Sequence, residues 1–321
     1  MIDKADTNCT AGADVDCRAP SLPSCSGRPG FIIIGAMKSG TTTLHAYLER
    51  HPQIFLTDLK EPQFFSRDDV FALGSAWYDG LFTNARPDQI CGEASTCYSR
   101  SAAYPHCAER IWNHAPQAKL IYLLRHPVDR AYSHYAHRMK ERFRQGRAAV
   151  TFRHFLEEDK EALDAGLYLK QIERYLEYFP ATQLRCVLFD EFVSDPAGTL
   201  FEIQDFLGLP PHDLVASQQL HNNARGERLA LNMARRHVTA LRDLPGVRQI
   251  VSLLPSSSRR VGRRFIQSSW LRVVAPRIEQ RFHSQLDSFA AESRQCLLDF
   301  YRAPTLELQD FLRTDLSRWL D

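Results

Sequence analysis

The chain has 321 residues, of which 44% are hydrophobic and 24% charged, with a formal net charge of +2. That length suits one large α/β domain, and the composition is that of an ordinary globular protein rather than a disordered or collagenous one. The near-neutral balance gives no sign of nucleic-acid binding, and no apolar run approaches the ~18 residues of a membrane-spanning helix.

Residues 1–29 are rich in Asp, Ser, Pro, Gly and Thr and lack apolar periodicity, which predicts a flexible leader before a single domain over 30–321. The leader has no apolar core of the signal-peptide kind, so the expected location is cytoplasmic. Eight cysteines, at positions 8, 17, 25, 91, 97, 107, 186 and 296, form no C-x-x-C pair and no zinc spacing. They read as free thiols in a reducing compartment.

Phe31 to Ile34 is a short apolar run, the signature of a buried strand. Gly35 ends it, and Thr41 to Leu48 continues as a helix with Leu44, Tyr47 and Leu48 on one face. Between them lies the tight turn AMKSG. His51-Pro52 stops the helix, Gln53 to Thr57 is a second short strand, and Leu59 to Ser66 is a loop held by Phe64 and Phe65. Gln89 to Glu93 is a third strand and Tyr104 to His114 a helix. Ala118 to Leu124 is another buried strand, broken by Arg125-His126-Pro127, and a helix runs from Val128 to about Arg144. Helices over Phe152–Leu163 and Tyr168–Tyr178, a strand over Arg185–Phe189 and a helix over Ala197–Leu207, ended by Gly208, complete the regular part.

Strands alternating with helices predict an α/β fold: a central parallel sheet flanked by helices on both faces, with a helical C-terminal portion beyond Pro210. Ligands of such sheets sit at the carboxyl ends of strands. Gly35 to Gly40, Glu61, Glu93 and Arg125 all follow predicted strands, so they are expected on one rim. From His221 to Arg281 there are thirteen Arg against Glu227, Asp243 and Glu279. This excess suits an anionic ligand, polymer or surface, and it equally suits solvated helix faces.

A strand-to-helix turn aims backbone N–H groups and the positive helix end at one spot, which suits phosphate. Lys38 adds a mobile charge, and Thr41, Thr42 and Thr43 add hydroxyls. The order G-x-x-K-x-G-T-T puts Lys38 before Gly40, whereas a nucleoside-triphosphate loop puts its Lys after the second Gly. Further on, Arg125 and Ser133 lie in R-H-P-x-x-R-x-x-S, and an Arg fork with a hydroxyl is a natural clamp for a phosphate dianion. Taken alone, Arg125 could instead pair with Asp129.

Together these tracts resemble the sulfotransferases that use 3′-phosphoadenosine 5′-phosphosulfate (PAPS). The Lys38 loop resembles their 5′-phosphosulfate loop, and LLRHPVDRAYSHY their 3′-phosphate motif. YLKQIERYLEYFP, RCVLFDEF and DFLGLP look like the family's later core, so the resemblance covers roughly Gly30 to Leu209. It is closest to the Golgi heparan sulfate and bacterial carbohydrate-type branch, and less like the phenol and steroid enzymes with a Tyr-Pro-Lys loop.

The resemblance implies a P-loop-like sulfotransferase fold, with a cofactor-binding core over 30–209 and an acceptor-side helical portion over 210–321. It implies transfer of a sulfonyl group from PAPS, without a metal, to a hydroxyl or amine of a carbohydrate-like, natural-product or other acceptor. Adenosine 3′,5′-bisphosphate is released. In these terms Lys38 neutralises the bridging oxygen, the N–H groups of Ser39, Gly40, Thr41, Thr42 and Thr43 hold the 5′-phosphate, and Arg125 with Ser133 holds the 3′-phosphate. Glu61 begins Glu61-Pro62-Gln63-Phe64-Phe65, which matches the branch's E-x-(H/Q)-F-F loop, and so becomes the base that takes the acceptor proton. Arg225 and Gly226 match a short piece of a cofactor-covering loop. One departure is Ala94, where some heparan enzymes carry a Lys; Lys60 could offer a substitute charge. Other readings of Glu61 are a surface carboxylate beside Lys60, with His106, His114 or His126 as the base instead. Two rival functions are a nucleotide kinase, which requires an acidic metal site, and a non-catalytic binder of acidic glycans through the basic C-terminal tract. The oligomeric state is open.

Overall fold

Five strands, β1 (Phe31–Gly35), β2 (Ile54–Leu56), β3 (Ile90–Ala94), β4 (Lys119–Leu124) and β5 (Leu184–Leu188), form one all-parallel sheet in the order β2-β3-β1-β4-β5. Parallel pairing forces a crossover between strands, and helices supply it. They are α1 (Thr41–Leu48), α2 (Asp68–Phe71), α3 (Ser75–Asp79), α4 (Cys107–His114), α5 (Pro127–Arg144) and α6 (Phe152–Glu158). α7 (Glu161–Asp164), α8 (Tyr168–Leu176), α9 (Phe189–Ser194), α10 (Pro196–Leu207) and α11 (Ala291–Leu312) follow. The computed structural model describes residues 27–145, 147–215 and 291–321. Most of the expected leader, the basic tract over 221–281, and Arg225 with Gly226 lie outside the described residues.

The period of two along β1 and β4 sends side chains to opposite faces. Ile32, Ile34, Leu120, Tyr122 and Leu124 pack with Ile111 of α4 and Ile172 and Tyr175 of α8. Phe31, Ile33, Ile121 and Leu123 pack with Leu44, Tyr47 and Leu48 of α1 and Leu200, Ile203 and Leu207 of α10. Burying one such side chain contributes about 1.5–3 kcal/mol, so these two layers fix the sheet position of β1 and β4. α11 braces the structure from outside the sheet: Arg294 Nη1 pairs with Asp129 Oδ1 at 3.0 Å, and Tyr301 donates its hydroxyl to Leu163 O at 2.8 Å.

The strands and the helices α1, α5, α8 and α10 fall where apolar periodicity places them, within a residue or two. The helix expected from Tyr104 starts at Cys107, after Pro105, which has no N–H to donate. The helix expected over 152–163 divides at Asp159, which leaves helical backbone (φ −116°) and accepts from Ala162 N at 3.1 Å. The short helices α2, α3 and α9 carry too few turns to show a period. The reading of all cysteines as free thiols fails at Cys91, which is disulfide-bonded; Cys97, Cys107, Cys186 and Cys296 are free. A disulfide depends on Cα atoms approaching to roughly 4.4–6.8 Å in space, which spacing along the chain does not report.

Gly92 marks how tightly the layers are packed. A Cβ there would lie 2.3 Å from two ring carbons of the fully buried Phe31. Gly92→Ala is expected to destabilise the fold by about 1–3 kcal/mol in a urea titration. Gly80→Ala, where a Cβ meets nothing within 4 Å, should leave the midpoint nearly unchanged.

Candidate active site

β1 and β4 are neighbours, so the loops leaving their carboxyl ends leave side by side. The two loops are bonded to each other: Arg125 Nη1 donates to Lys38 O at 3.1 Å. The carboxylate that would have made Arg125 a mere structural partner, Asp129, accepts from Arg294 instead. Tyr168 fixes the Arg125 backbone, donating to its O at 2.6 Å and accepting from its N at 3.3 Å. Phe189, at the start of α9, floors both loops. The Arg125 guanidinium lies 5.0 Å from its ring centre, and a Cβ on Gly40 would come within 2.9 Å of the same ring. Gly40 also has φ 89°, so this position needs glycine twice over.

Gly40 is the N-cap of α1, and no side chain caps that end. Ser39 N donates to Ala36 O, and Thr43 N donates to Gly40 O. The expectation that all amides from Ser39 to Thr43 face a ligand is therefore corrected to Gly40, Thr41 and Thr42, whose N–H groups have no partner among the described residues. The Ser39 hydroxyl is fully buried near the Tyr168 hydroxyl, yet it makes no hydrogen bond of good geometry. Uncapped amides, an unsatisfied buried hydroxyl and a positive helix end fit a phosphate oxygen.

The electrostatics point the same way. Burial lowers the Lys38 pKa, and the charges of Arg125, Lys140 and Lys60 lower it further. All of the charged neighbours acting on it are cationic, and no described ion pair supplies Lys38 or Arg125 with a carboxylate. Lys60, from the loop after β2, donates to Thr42 Oγ1 at 2.9 Å and so docks that loop on the first turn of α1.

Glu61 follows Lys60 and is half-buried. Its Oε1 accepts from Thr96 Oγ1 at 3.3 Å, and no described ion pair joins it to Lys60 or Lys38. The loop is anchored as expected by Phe64 and Phe65, 1% and 0% exposed. Among the described residues, three of the four non-glycine residues with left-handed backbone, Lys38 (φ 71°), Glu61 (φ 53°) and Gln63 (φ 56°), belong to these two loops. Each costs on the order of 1–3 kcal/mol, strain of the kind that clusters at functional sites.

The alternative bases His106, His114 and His126, and also His134, have the following surroundings. His114 is bonded to Asp79 at 2.8 Å, and His126 is buried with its pKa lowered by that burial. His106 is exposed beside Glu109. His134 lines a cleft of about 810 Å³ together with Met37, but burial and then Arg130, Arg100 and Arg138 push its pKa down to about 3. That makes it a weaker base than an ordinary carboxylate. Ser133, the second expected 3′-phosphate contact, is half-buried on α5 next to His134. Arg130 is fully buried and donates to Ala162 O, holding α5 to α7. Glu93 does not reach the rim: it lies inside β3, 0% exposed. Ala94, also on β3, leaves the place of a possible Lys empty of charge. Thr96, Lys140, Phe189 and the burial of Glu93 were beyond local patterns; a carboxylate inside the apolar strand ICGEA is the one visible signal.

A site of this polarity makes a prediction for Lys38. In competitive acetylation across about pH 7–11, Lys38 should become reactive at lower pH than exposed lysines do. Arg125→Ala should move its curve upward, because a repelling charge has gone. An unchanged curve in that variant would show that Arg125 does not act on Lys38.

Comparison with known proteins gives a concordant result. A family model described as a sulfotransferase domain matches residues 28–235. The mouse protein named heparan sulfate glucosamine 3-O-sulfotransferase 6 is 37% identical over 205 residues, covering 60% of this chain and 57% of that protein. The human bifunctional heparan sulfate N-deacetylase/N-sulfotransferase 3 is 34% identical over 214 residues, covering 59% of this chain and 23% of that protein. The chain thus spans little more than half of the first relative. A crystal structure of a sulfotransferase from Alicyclobacillus acidocaldarius superposes with TM-score 0.60 at 25% identity, covering 92% of this chain and 99% of that one. With well over half of its residues inside the family match, the chain belongs to the sulfotransferase domain family.

Proposed function

We propose that this chain transfers a sulfonyl group from PAPS to a hydroxyl or amine of a carbohydrate-type acceptor. The observation that carries the reading is the bonded pair of loops at Lys38 and Arg125, with further cations acting on Lys38 and no described ion pair to neutralise either residue. Two anionic groups on one ligand answer that arrangement. A single-phosphate ligand leaves half of it unmatched.

PAPS, when bound, supplies a sulfonyl group activated by attachment to a phosphate. The amides of Gly40, Thr41 and Thr42 would hold the 5′-phosphate, with the Ser39 hydroxyl beside them. Arg125 and Ser133 would hold the 3′-phosphate. Lys38 would stabilise negative charge gathering at the leaving oxygen, an interaction stronger in the transition state than before it. Glu61 takes the proton from the acceptor at its carboxylate, while Thr96 orients the carboxylate by donating to Oε1. Lys60 stands where it can add charge that Ala94 does not supply.

A cleft walled by α5, α6 and α7 reaches the turn at Met37, and neither Lys38 nor Glu61 is among its lining residues. It mixes Arg100, Arg138 and Arg142 with Glu157 and Glu158, the many-handed polarity that suits a hydroxyl-rich ligand. The heparan sulfate named in the relatives supports a carbohydrate acceptor. The described part of the C-terminal portion, α11, acts here as a brace, and any acceptor role of 210–321 falls mainly outside the described residues.

Calorimetric titration tests the donor site. Adenosine 3′,5′-bisphosphate is expected to bind much more tightly than AMP, and Arg125→Ala should narrow the gap by about 1.5–3 kcal/mol, the scale of a charge-assisted hydrogen bond. Equal affinities in the unaltered protein would remove Arg125 and Ser133 from the donor site.

Single-turnover sulfonyl transfer tests the base. Glu61→Gln keeps size and most hydrogen bonding but not basicity. It should retain the fold and the bisphosphate affinity, while transfer falls by ~10²–10⁴-fold. Near-normal transfer would exclude Glu61 as the base.

A further inference from the structure

Glu93 takes no part in the chemistry above, yet a buried carboxylate without a cation is expensive to keep. Its surroundings show what it holds. Tyr78 donates its hydroxyl to Oε1 at 3.1 Å, Ser95 donates to Oε2 at 2.8 Å, and the Tyr98 hydroxyl lies near enough to act on its charge. Each of these three residues grips the loop that carries Glu61. Ser95 Oγ accepts from Gln63 N at 3.1 Å, and Tyr98 Oη accepts from Phe65 N at 3.4 Å. The Tyr78 ring stacks on Phe64 with centroids 4.6 Å apart and planes at 14°. Thr96, between Ser95 and Tyr98, donates to Glu61 itself.

The loop needs such a frame, because Glu61 and Gln63 both hold left-handed backbone that non-glycine residues keep only when their surroundings over-determine it. One carboxylate thus binds two of these hydroxyls directly, and the three residues all contact the loop. We propose that Glu93 is a positioning residue: its buried carboxylate fixes residues 61–65 and so aims Glu61 at the acceptor. This rests on the reading of Glu61 as the base.

The network also senses pH. The groups facing Glu93 are Tyr78, Ser95 and Tyr98, the Glu61 carboxylate, and the buried Cys97 and Cys107 thiols. Burial pushes the Glu93 carboxyl up to about 7, the three hydroxyls pull it back, and the charge on Glu61 raises it. Above that pH the Glu93 carboxylate accepts from the Tyr78 and Ser95 hydroxyls. Below it, a protonated carboxyl must itself donate, and one arm of the frame loses its acceptor. Turnover should therefore rise with pH through about 7. Stability moves the other way: the folded chain holds a proton there that the unfolded chain releases above its ordinary value of 4.5. This contribution to stability is complete below about 4.5 and is lost as pH rises through about 7.

Glu93→Gln tests the proposal, because it keeps the volume but replaces one acceptor oxygen with a donor. The full chain is assayed with PAPS and heparan sulfate oligosaccharides, alone and in the Glu61→Gln background. Expected are adenosine 3′,5′-bisphosphate binding within about twofold of normal, kcat lower by ~10–100-fold, a small change in KM, and loss of the step near pH 7. In the Glu61→Gln background the same substitution should add less than about twofold. Amide hydrogen exchange across 61–65 should quicken while that across 36–44 stays unchanged, a readout that needs no acceptor. Ser95→Ala, which cuts one arm only, should shift the same readouts in the same direction by less. Unchanged exchange over 61–65 would overturn the proposal. So would a normal pH profile, or an equal loss of activity in both backgrounds. Activity persisting in Glu61→Gln alone would instead sink the reading of Glu61 as the base.

Discussion

The site depends on a balance of charge that the chain does not close by itself. Arg125, Lys140 and Lys60 all act on the half-buried Lys38, and the described ion pairs give Lys38, Lys60 and Arg125 no carboxylate. Like charges this close repel, and burial makes the repulsion stronger than it would be in water. The sheet imposes the arrangement, because β1 and β4 are adjacent and their carboxyl ends open together. The Arg125–Lys38 O bond and the Phe189 floor then hold it. An anion with two charged groups relieves the repulsion, so donor binding and local stability are linked in the folded state.

The second half of the site is held by different physics. Glu61 sits in a loop with unfavourable backbone angles, and no described ion pair pins it. Its order comes from rings and hydroxyls: Phe64 and Phe65 in the core, Ser95 and Tyr98 on the loop amides, and Glu93 behind both. Charge dominates around Lys38 and Arg125, whereas burial and hydrogen bonding order the Glu61 loop. Lys60 joins the two by donating to Thr42.

What the sequence made legible was what is local. The apolar runs FIII and LIYLL, the G-x-x-K-x-G-T-T order and the R-H-P-x-x-R-x-x-S spacing each lie within about a dozen residues; the runs form β1 and β4, and the two motifs lie where these strands pass into α1 and α5. What it hid was distant in the chain. Thr96 meets Glu61 across 35 positions, Arg125 meets Lys38 across 87, and Arg294 takes Asp129 across 165. Cys91 is disulfide-bonded, a pairing that depends on approach in space. Glu93 reads as one more residue at a strand end; only its complete burial shows that it faces inward and not toward a ligand.

A crystal structure of the chain with adenosine 3′,5′-bisphosphate tests the central claim most directly. The account predicts the 5′-phosphate on the amides of Gly40, Thr41 and Thr42 and the 3′-phosphate on Arg125 and Ser133, with Lys38 facing the 5′ side. Both phosphates bound away from the β1 and β4 loops, or a 3′-phosphate left in solvent with Arg125 still on Lys38 O alone, would contradict it.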